Sequence, residues 1–339
     1  MAFNRLAPED FVISTDSITA TLWSEGAVAL TNFNTSSNQE AGSSGDFYLN
    51  VFQTSSTLNN AAVQFAISYA NQYASGSSFY NNAVTTASPT RTNYGQYRNL
   101  ILGDENSQFV FGTITSSDFW VINIDRTRYK EKLFPGSLTL VLSGSQVGAG
   151  GGKLSLTDNS KISSTVIFND AGRVYQIVSG AAGTVYTGIN SNGYSTNSGS
   201  YGWFLPDIGT ILLNPLAISS SLQVGPSRSV NSDGLNYQKL FNAISGGASF
   251  QLNSQETITS DYIFIRARNA EFNYSENPSF ISGSTGELTI SNFVNNPQTF
   301  LTTIGLYNDN MELLAVAKMS RPLLKDFTKE ALVRVKLDF

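Results

Sequence analysis

Phe119-Trp120-Val121-Ile122-Asn123-Ile124 is a short run, apolar but for Asn123 and built from aromatic and β-branched side chains. A run of this length and makeup predicts a buried β-strand. Working outward, Phe109-Val110-Phe111 and residues 138–142 repeat the signal. Toward the N-terminus, Phe11-Val12-Ile13-Ser14 and Ser17-Ile18-Thr19-Ala20-Thr21-Leu22-Trp23 read as extended, and a further strand is expected at 47–52. Beyond residue 150, strand-like runs at 153–156, 165–168, 174–178 and 184–189 are punctuated by the turn signals Asn169-Asp170-Ala171-Gly172 and Asn192-Gly193. The last third adds 262–267, 288–290, 300–307, 312–318 and 332–337, with Asn308-Asp309-Asn310 as a hairpin turn.

Helical spacing interrupts this in three places. Ala62, Phe65, Ala66, Tyr69 and Tyr73 share one helical face within 56–74, with Ser55 or Ser56 as the cap. Residues 91–102 read as a second helix that stops near Gly103. A third spans 233–244, packed by Leu235, Leu240, Phe241 and Ile244 and closed by Gly246-Gly247. The expected fold is mainly β with a few short helices, in β-sandwich or barrel-like domains. The glycine-rich stretch 144–152 (GSQVGAGGG) reads as a hinge or loop tip. It divides the expected organisation into 1–145, β-rich with one or two helices, and 146–270, a β-rich middle domain or insertion. Residues 271–339 are then C-terminal strands that complete a sheet.

Composition narrows the function. Charged residues are only 13% of the 339, and Ser, Thr, Asn, Gln and Gly supply the remaining polarity. Uncharged polar surface suits packed subunit contacts, where a buried charge would need a partner. A net charge of −5 supplies no basic field for nucleic acid. The chain has neither Cys nor His, which excludes a disulfide framework, a thiol nucleophile and an imidazole base. The first ten residues lack an apolar signal core and no run is long enough to span a bilayer, so a soluble protein with no membrane partner is expected.

Motifs for chemistry are weak. Gly148-Ala149-Gly150-Gly151-Gly152-Lys153 lacks the Ser or Thr that a phosphate loop places after its Lys, because Leu154 follows. Asn308-Asp309-Asn310-Met311-Glu312 offers oxygens but not the spacing of a calcium loop, and reads better as a turn. Asp104, Glu105, Asp118, Asp158, Asp207 and Asp261 are formally available as carboxylate pairs for glycoside cleavage, but a chain with 25 acidic residues always offers such pairs. No catalytic residue, metal site or cofactor is expected.

Interface candidates stand out more clearly. Arg126, Arg128, Lys130 and Lys132 place four cations at alternate positions, on one face if the segment is extended. Trp203 and Phe204, with Tyr194 and Tyr201, lie in or beside a polar loop, where they can anchor an interface, stack on sugar or begin a core strand. At the C-terminus Leu332, Arg334 and Lys336 alternate with Val333, Val335 and Leu337 up to Phe339, the pattern of a half-buried strand able to pair at a sheet edge.

Four stretches taken together carry a resemblance: Asn93-Tyr94-Gly95-Gln96-Tyr97-Arg98-Asn99-Leu100-Ile101-Leu102, the segment from Trp120 to Lys132, Thr303 to Lys318, and Lys325 to Leu337. They resemble virion structural proteins of large contractile-tailed phages of the marine and T4-like kinds, at both ends of the chain more than in the middle. The resemblance implies a non-enzymatic tail or baseplate subunit, assembled in a host cytoplasm and located in the virion. Its partners would be copies of itself and other virion proteins. A glycan-binding fibre or adhesin module, with a host-surface glycan as ligand, and a capsid-associated decoration protein are the alternatives.

Overall fold

The computed structural model of the chain describes residues 5–36, 48–74, 76, 89–145, 152–186, 197–228, 235–275 and 277–338. Among these, strand makes up 44% and helix 16%, so the chain is mainly β. The strands begin with β1 (Phe11–Thr21), β2 (Ala29–Leu30), β3 (Tyr48–Phe52), β4 (Val63–Asn71), β5 (Phe109–Phe111), β6 (Ile114–Ser116) and β7 (Asp118–Ile124). There follow β8 (Lys132–Leu133), β9 (Thr139–Ser143), β10 (Lys153–Asp158), β11 (Ile167–Asn169), β12 (Gly172–Ala181), β13 (Thr184–Val185), β14 (Gly202–Leu205) and β15 (Thr210–Leu213). The series closes with β16 (Ser249–Gln251), β17 (Asn253–Ala267), β18 (Thr299–Tyr307), β19 (Leu313–Lys325) and β20 (Ala331–Asp338). The helices are α1 (Thr90–Leu102), α2 (Pro215–Leu222) and α3 (Asn236–Gly247).

Contacts divide the chain into an inserted unit, Ile18–Glu256, and a flanking unit made of Met1–Ser17 and Thr257–Phe339. The division falls inside β1 and β17, not at the glycine-rich stretch where a boundary was expected. There β9 and β10 are antiparallel neighbours in one sheet, Lys153 opposite Ser143, so the stretch joins two paired strands.

The inserted unit is one large antiparallel sheet in the order β2-β16-β9-β10-β12-β14-β15-β7-β4-β3. Asn34, just past β2, bridges Phe52 of β3 through hydrogen bonds of 3.0 and 2.8 Å, which brings the two ends of that order together. The sheet therefore curls around its contents. Trp120, Ile122 and Ile124 of β7 point inward with Phe65, Ile67 and Tyr69 of β4, Ile211 and Leu213 of β15, and Phe204 of β14. Ala217 and Ile218 of α2 and Leu240 and Ile244 of α3 fill the same core. On the other face Phe119 and Val121 of β7 pack with Leu212, Phe109, Phe111 and α1 residues Tyr94 and Ile101. A strand covered on both faces must be apolar at consecutive positions, which explains the run from Phe119 to Ile122.

Residues 63–71 form strand β4 and not the expected helix. The side chains that mimic helical spacing are in fact two alternating sets. Phe65, Ile67 and Tyr69 face the core, while small Ala66 and Ser68 lie on the side where α1 passes, with Asn93 Nδ2 donating to Tyr69 O at 3.1 Å. The expected helix at 91–102 is α1, ended by Gly103 in the left-handed region at φ 64°. The third runs to Gly247, where a Cβ would lie 1.8 Å from Val141 O of β9, so only glycine allows this approach. α2 was not anticipated; Asn214 caps it by accepting from Leu216 N at 3.1 Å.

In the flanking unit β17 pairs with β1 on one side and with β20 on the other. β18 and β19 form a separate two-stranded sheet. β19 runs through Pro322 with a large bulge: Leu301 pairs with Leu323 but Thr303 with Lys318. Residues 288–290 contribute a single bridge, Ile281 to Leu288, and no strand. In the turn after β18 the left-handed residue is Met311, at φ 63°. Asn308 Nδ2 donates to Glu312 Oε2 at 2.6 Å, which uses the turn's carboxylate locally.

Candidate assembly interface

The candidate interface lies in the flanking unit, because its strands are poorly covered. Among the described residues its buried apolar side chains are Ile263, Ala267, Phe280, Ala331 and Val335 alone. β1 exposes neighbouring residues that point to opposite faces: Phe11, Val12 and Ile13, the last 72% accessible. The β18–β19 hairpin does the same, with Phe300 at 62% and Leu314 at 68%, and Leu313 and Val316 also exposed. Alternation that buries neither face is unusual for a folded strand, and a bare two-stranded sheet is marginal in water.

The hairpin is anchored at its base. Lys325, paired opposite Thr299, is fully buried without a carboxylate partner. Its ammonium donates instead to Asn269 O at 2.9 Å, Asn273 Oδ1 at 2.9 Å and Asp326 O at 3.0 Å. Three donors meet three oxygens, so the charge is held by dipoles. Thr299 Oγ1 donates to Phe272 O beside it.

β20 has the alternation expected for it. Ala331 and Val335 are buried, while Leu332, Arg334, Lys336 and Asp338 are exposed. Arg334 and Lys336 stand over the Tyr262 ring of β17, at 5.3 and 5.9 Å from its centroid. Lys336 also reaches Asp338 at 2.8 Å, which keeps its ammonium above its ordinary pKa. Phe339 lies outside the described residues.

The other interface candidates are placed differently. Of the 126–132 cations, Arg126 and Arg128 lie on a 3₁₀ turn capped by Asp125, Lys130 on the bend after it and Lys132 in a two-residue strand, not on one extended face. Arg126 folds over Tyr129, 4.7 Å from its ring, and donates to the carbonyls of Tyr129 and Lys130. Arg128 reaches Ser24 Oγ, Lys130 pairs with Glu256 at 2.8 Å, and Lys132 with Glu131 at 2.9 Å. Phe204 is fully buried in the inner core, and Trp203 packs 5.4 Å from Phe111 and 5.7 Å from Phe109 on the outer face. Tyr201 is buried with its hydroxyl 2.9 Å from Ser221 Oγ. β14 is hydrogen-bonded along both edges, to β12 and β15; Phe204 is a core residue, and Trp203 is partly buried against the outer cluster. Tyr194 lies outside the described residues.

Four of the acidic residues considered for catalysis have partners of their own, Asp104 with the Asn106 N–H at 2.9 Å and the Ser107 hydroxyl at 2.7 Å. Asp118 accepts Tyr69 Oη at 2.7 Å and two bonds from Arg228 at 3.0 and 3.1 Å. Asp207 is gripped by Arg173; burial alone would raise its pKa, but the guanidinium and the Arg173 N–H outweigh that and hold it low. Asp158 is buried and accepts from the Gly136 N–H at 2.9 Å and the Ser160 N–H at 3.1 Å; its burial prevails and raises its pKa. A hollow of about 170 Å³ between α1 and the sheet is lined by Tyr48, Ser68, Asn93, Tyr97 and Asn123. Its polar groups serve each other: Asn123 donates to Tyr97 Oη and accepts from Thr210. Among the described residues no group of three Asp or Glu is placed to hold a metal ion, and no helix is long and apolar enough to cross a membrane.

The residues and the fold thus define a mainly β antiparallel protein with one saturated unit and one unsaturated unit. No family model, curated protein or solved structure matches the chain.

Proposed function

We propose that this chain is a non-enzymatic assembly subunit of a tailed-phage virion, placed in the tail or baseplate, that works by packing against copies of itself and other virion proteins. The observation that carries the assembly part is the flanking unit's exposed apolar residues on both faces of β1 and of the β18–β19 hairpin. Such surface gains stability only when another chain covers it. The virion part rests on the sequence resemblance quoted above. A glycan-binding role has weaker support, since of its aromatic carriers Tyr201 and Phe204 are buried in the inserted unit's core and Trp203 is partly buried against Phe109 and Phe111.

The test is mass spectrometry of purified particles combined with cross-linking of this chain to its neighbours. Cross-links that concentrate on 299–325 and on 11–17 are expected. Recovery of the protein only as a free species in host lysate, with none in the particle, would defeat the virion reading. A monomer at high concentration that turns over a small substrate would defeat the assembly reading.

A further inference from the structure

We infer that copies of this chain join head to tail, the β20 edge of one copy pairing with the β1 edge of the next so that the flanking sheet continues across subunits. The inference rests on the assembly reading and specifies its partner, a second copy, and its mode, strand addition.

The sheet order β1-β17-β20 leaves β17 paired on both sides. Among the described residues no strand pairs with the outer side of β1 or of β20. Each outer strand therefore presents a row of backbone N–H and C=O groups. The two edges differ in charge. β20 carries Arg334 and Lys336 on its exposed face, and Arg334 has the Tyr262 ring beside it but, among the described residues, no carboxylate within ion-pair distance. β1 carries Asp16, preceded by Glu9 and Asp10 in the turn that leads into it. Asp16 is near enough to act on Lys336 electrostatically across the sheet, and both residues are exposed on it.

Pairing like with like fails on charge. An antiparallel β20–β20 pair centred on residue 334, 335 or 336 sets Arg334 against itself, Arg334 against Lys336, or Lys336 against itself, and like charges directly opposite are destabilising. A β1–β1 pair offers Asp16 no cation. Joining β20 to β1 brings Arg334 and Lys336 toward Asp16 and covers Phe11, Val12 and Ile13 along the new neighbour. Because the two mating edges are different surfaces, the contact is heterologous, and it closes into a ring or runs on as a filament. The basic residues on β20 are also the kind of charge that protects an edge from promiscuous pairing; here they select the acidic edge as the partner.

The experiment uses sedimentation velocity on the full chain, with Asp16→Arg, Arg334→Glu, an equimolar mixture of the two, and the double variant. Circular dichroism confirms that each keeps its strand content. The wild type is expected to self-associate with rising concentration, and each single variant to associate at least about tenfold more weakly. Mixing the two single variants should restore association, because every contact in an alternating chain is then complementary. The glutamate introduced on β20 of one copy meets the arginine introduced on β1 of the next, and the native Arg334 of that copy meets the native Asp16 of the one after. The double variant should also recover. Were either edge to pair two-fold with itself, the substitution on the opposite edge would leave association unchanged, which also overturns the proposal. Association unchanged by both substitutions, or weakened without rescue in the mixture and the double variant, overturns the edge pairing and leaves the assembly reading standing. A wild type that stays monomeric throughout overturns the pairing; it takes the assembly reading with it only if the chain also binds no particle component.

Discussion

The inserted and flanking units are made from the same kind of strand, aromatic and β-branched, yet they dispose of it in opposite ways. Phe119, Trp120, Val121 and Ile122 of β7 are all fully buried, covered by helices inside the curl and by α1 and the β5–β6 hairpin outside. β18 and β19 carry comparable side chains and bury only Thr299 and Lys325. The difference lies in what surrounds the strands and not in the strands themselves. A sheet whose ends meet at Asn34 and Phe52 satisfies itself, whereas β1, β17 and β20 and the separate β18–β19 hairpin leave apolar side chains exposed.

Breaking that comparison starts in the inserted unit. Trp120→Ala removes a buried ring and the Nε1 donor to Asn236 O at 2.9 Å, and should cost about 4 kcal/mol in urea unfolding. Lys325→Met should cost less, about 2 kcal/mol, by leaving three buried acceptors unsatisfied. Its effect should appear in hydrogen exchange of the β18–β19 amides while those of β7 stay protected. An equal loss of protection in β7 would mean that the two units unfold as one.

Acid should separate the units further. In the flanking unit Asp326 is held low by Thr328 and Asp338 by Lys336, so whatever stability they add is present above the ordinary carboxylate pKa and lost as pH falls through their lowered values. Asp207 of the inserted unit behaves likewise. Asp158 has the opposite sign: the folded state holds its proton more tightly than the unfolded one, so it adds stability as pH falls from its raised value toward the unfolded value near 4. Asp158→Asn should abolish that gain in thermal melts across this window, and Asp207→Asn should flatten the acid loss.

The smallest effect on stability should come from the surface. Phe300→Ser with Leu314→Ser should move the unfolding free energy by no more than about 0.5 kcal/mol, because neither side chain is buried, yet it should weaken self-association. A loss above roughly 2 kcal/mol, on the scale of a core truncation, would show that the hairpin has a core of its own.

Much of the strand content was legible because coverage leaves a mark on sequence. Two-sided burial writes a continuous apolar run at 119–122, and one-sided burial writes the alternation at 331–337. β4 was misread because the side facing α1 is made of small residues, and Ala66 beside Phe65 and Tyr69 imitates a helical stripe. α2 was missed although Asn214-Pro215 is a capping signal, since its Ser-rich interior carries little apolar period. Trp203 and Phe204 were ambiguous for a similar reason: a polar loop precedes them, and only the sheet order shows that β14 has neighbours on both sides. The discontinuous flanking unit could not be read at all, because nothing local in β1 announces that its partner is β17. Arg334 and Lys336 were legible as one charged face; that Asp16 lies across the same sheet from them was not, because β1 meets that sheet only through β17.

The pairing of β1 with β17 also sets a schedule. During synthesis β1 leaves the ribosome before β17, and Asn253 follows Thr21 only after roughly ten to fifty seconds of elongation. The whole inserted unit is made in that interval, so it can fold while β1 waits without its partner. β20 comes later still. The two edges proposed to mate therefore exist together in one copy only once residues 331–338 have been made.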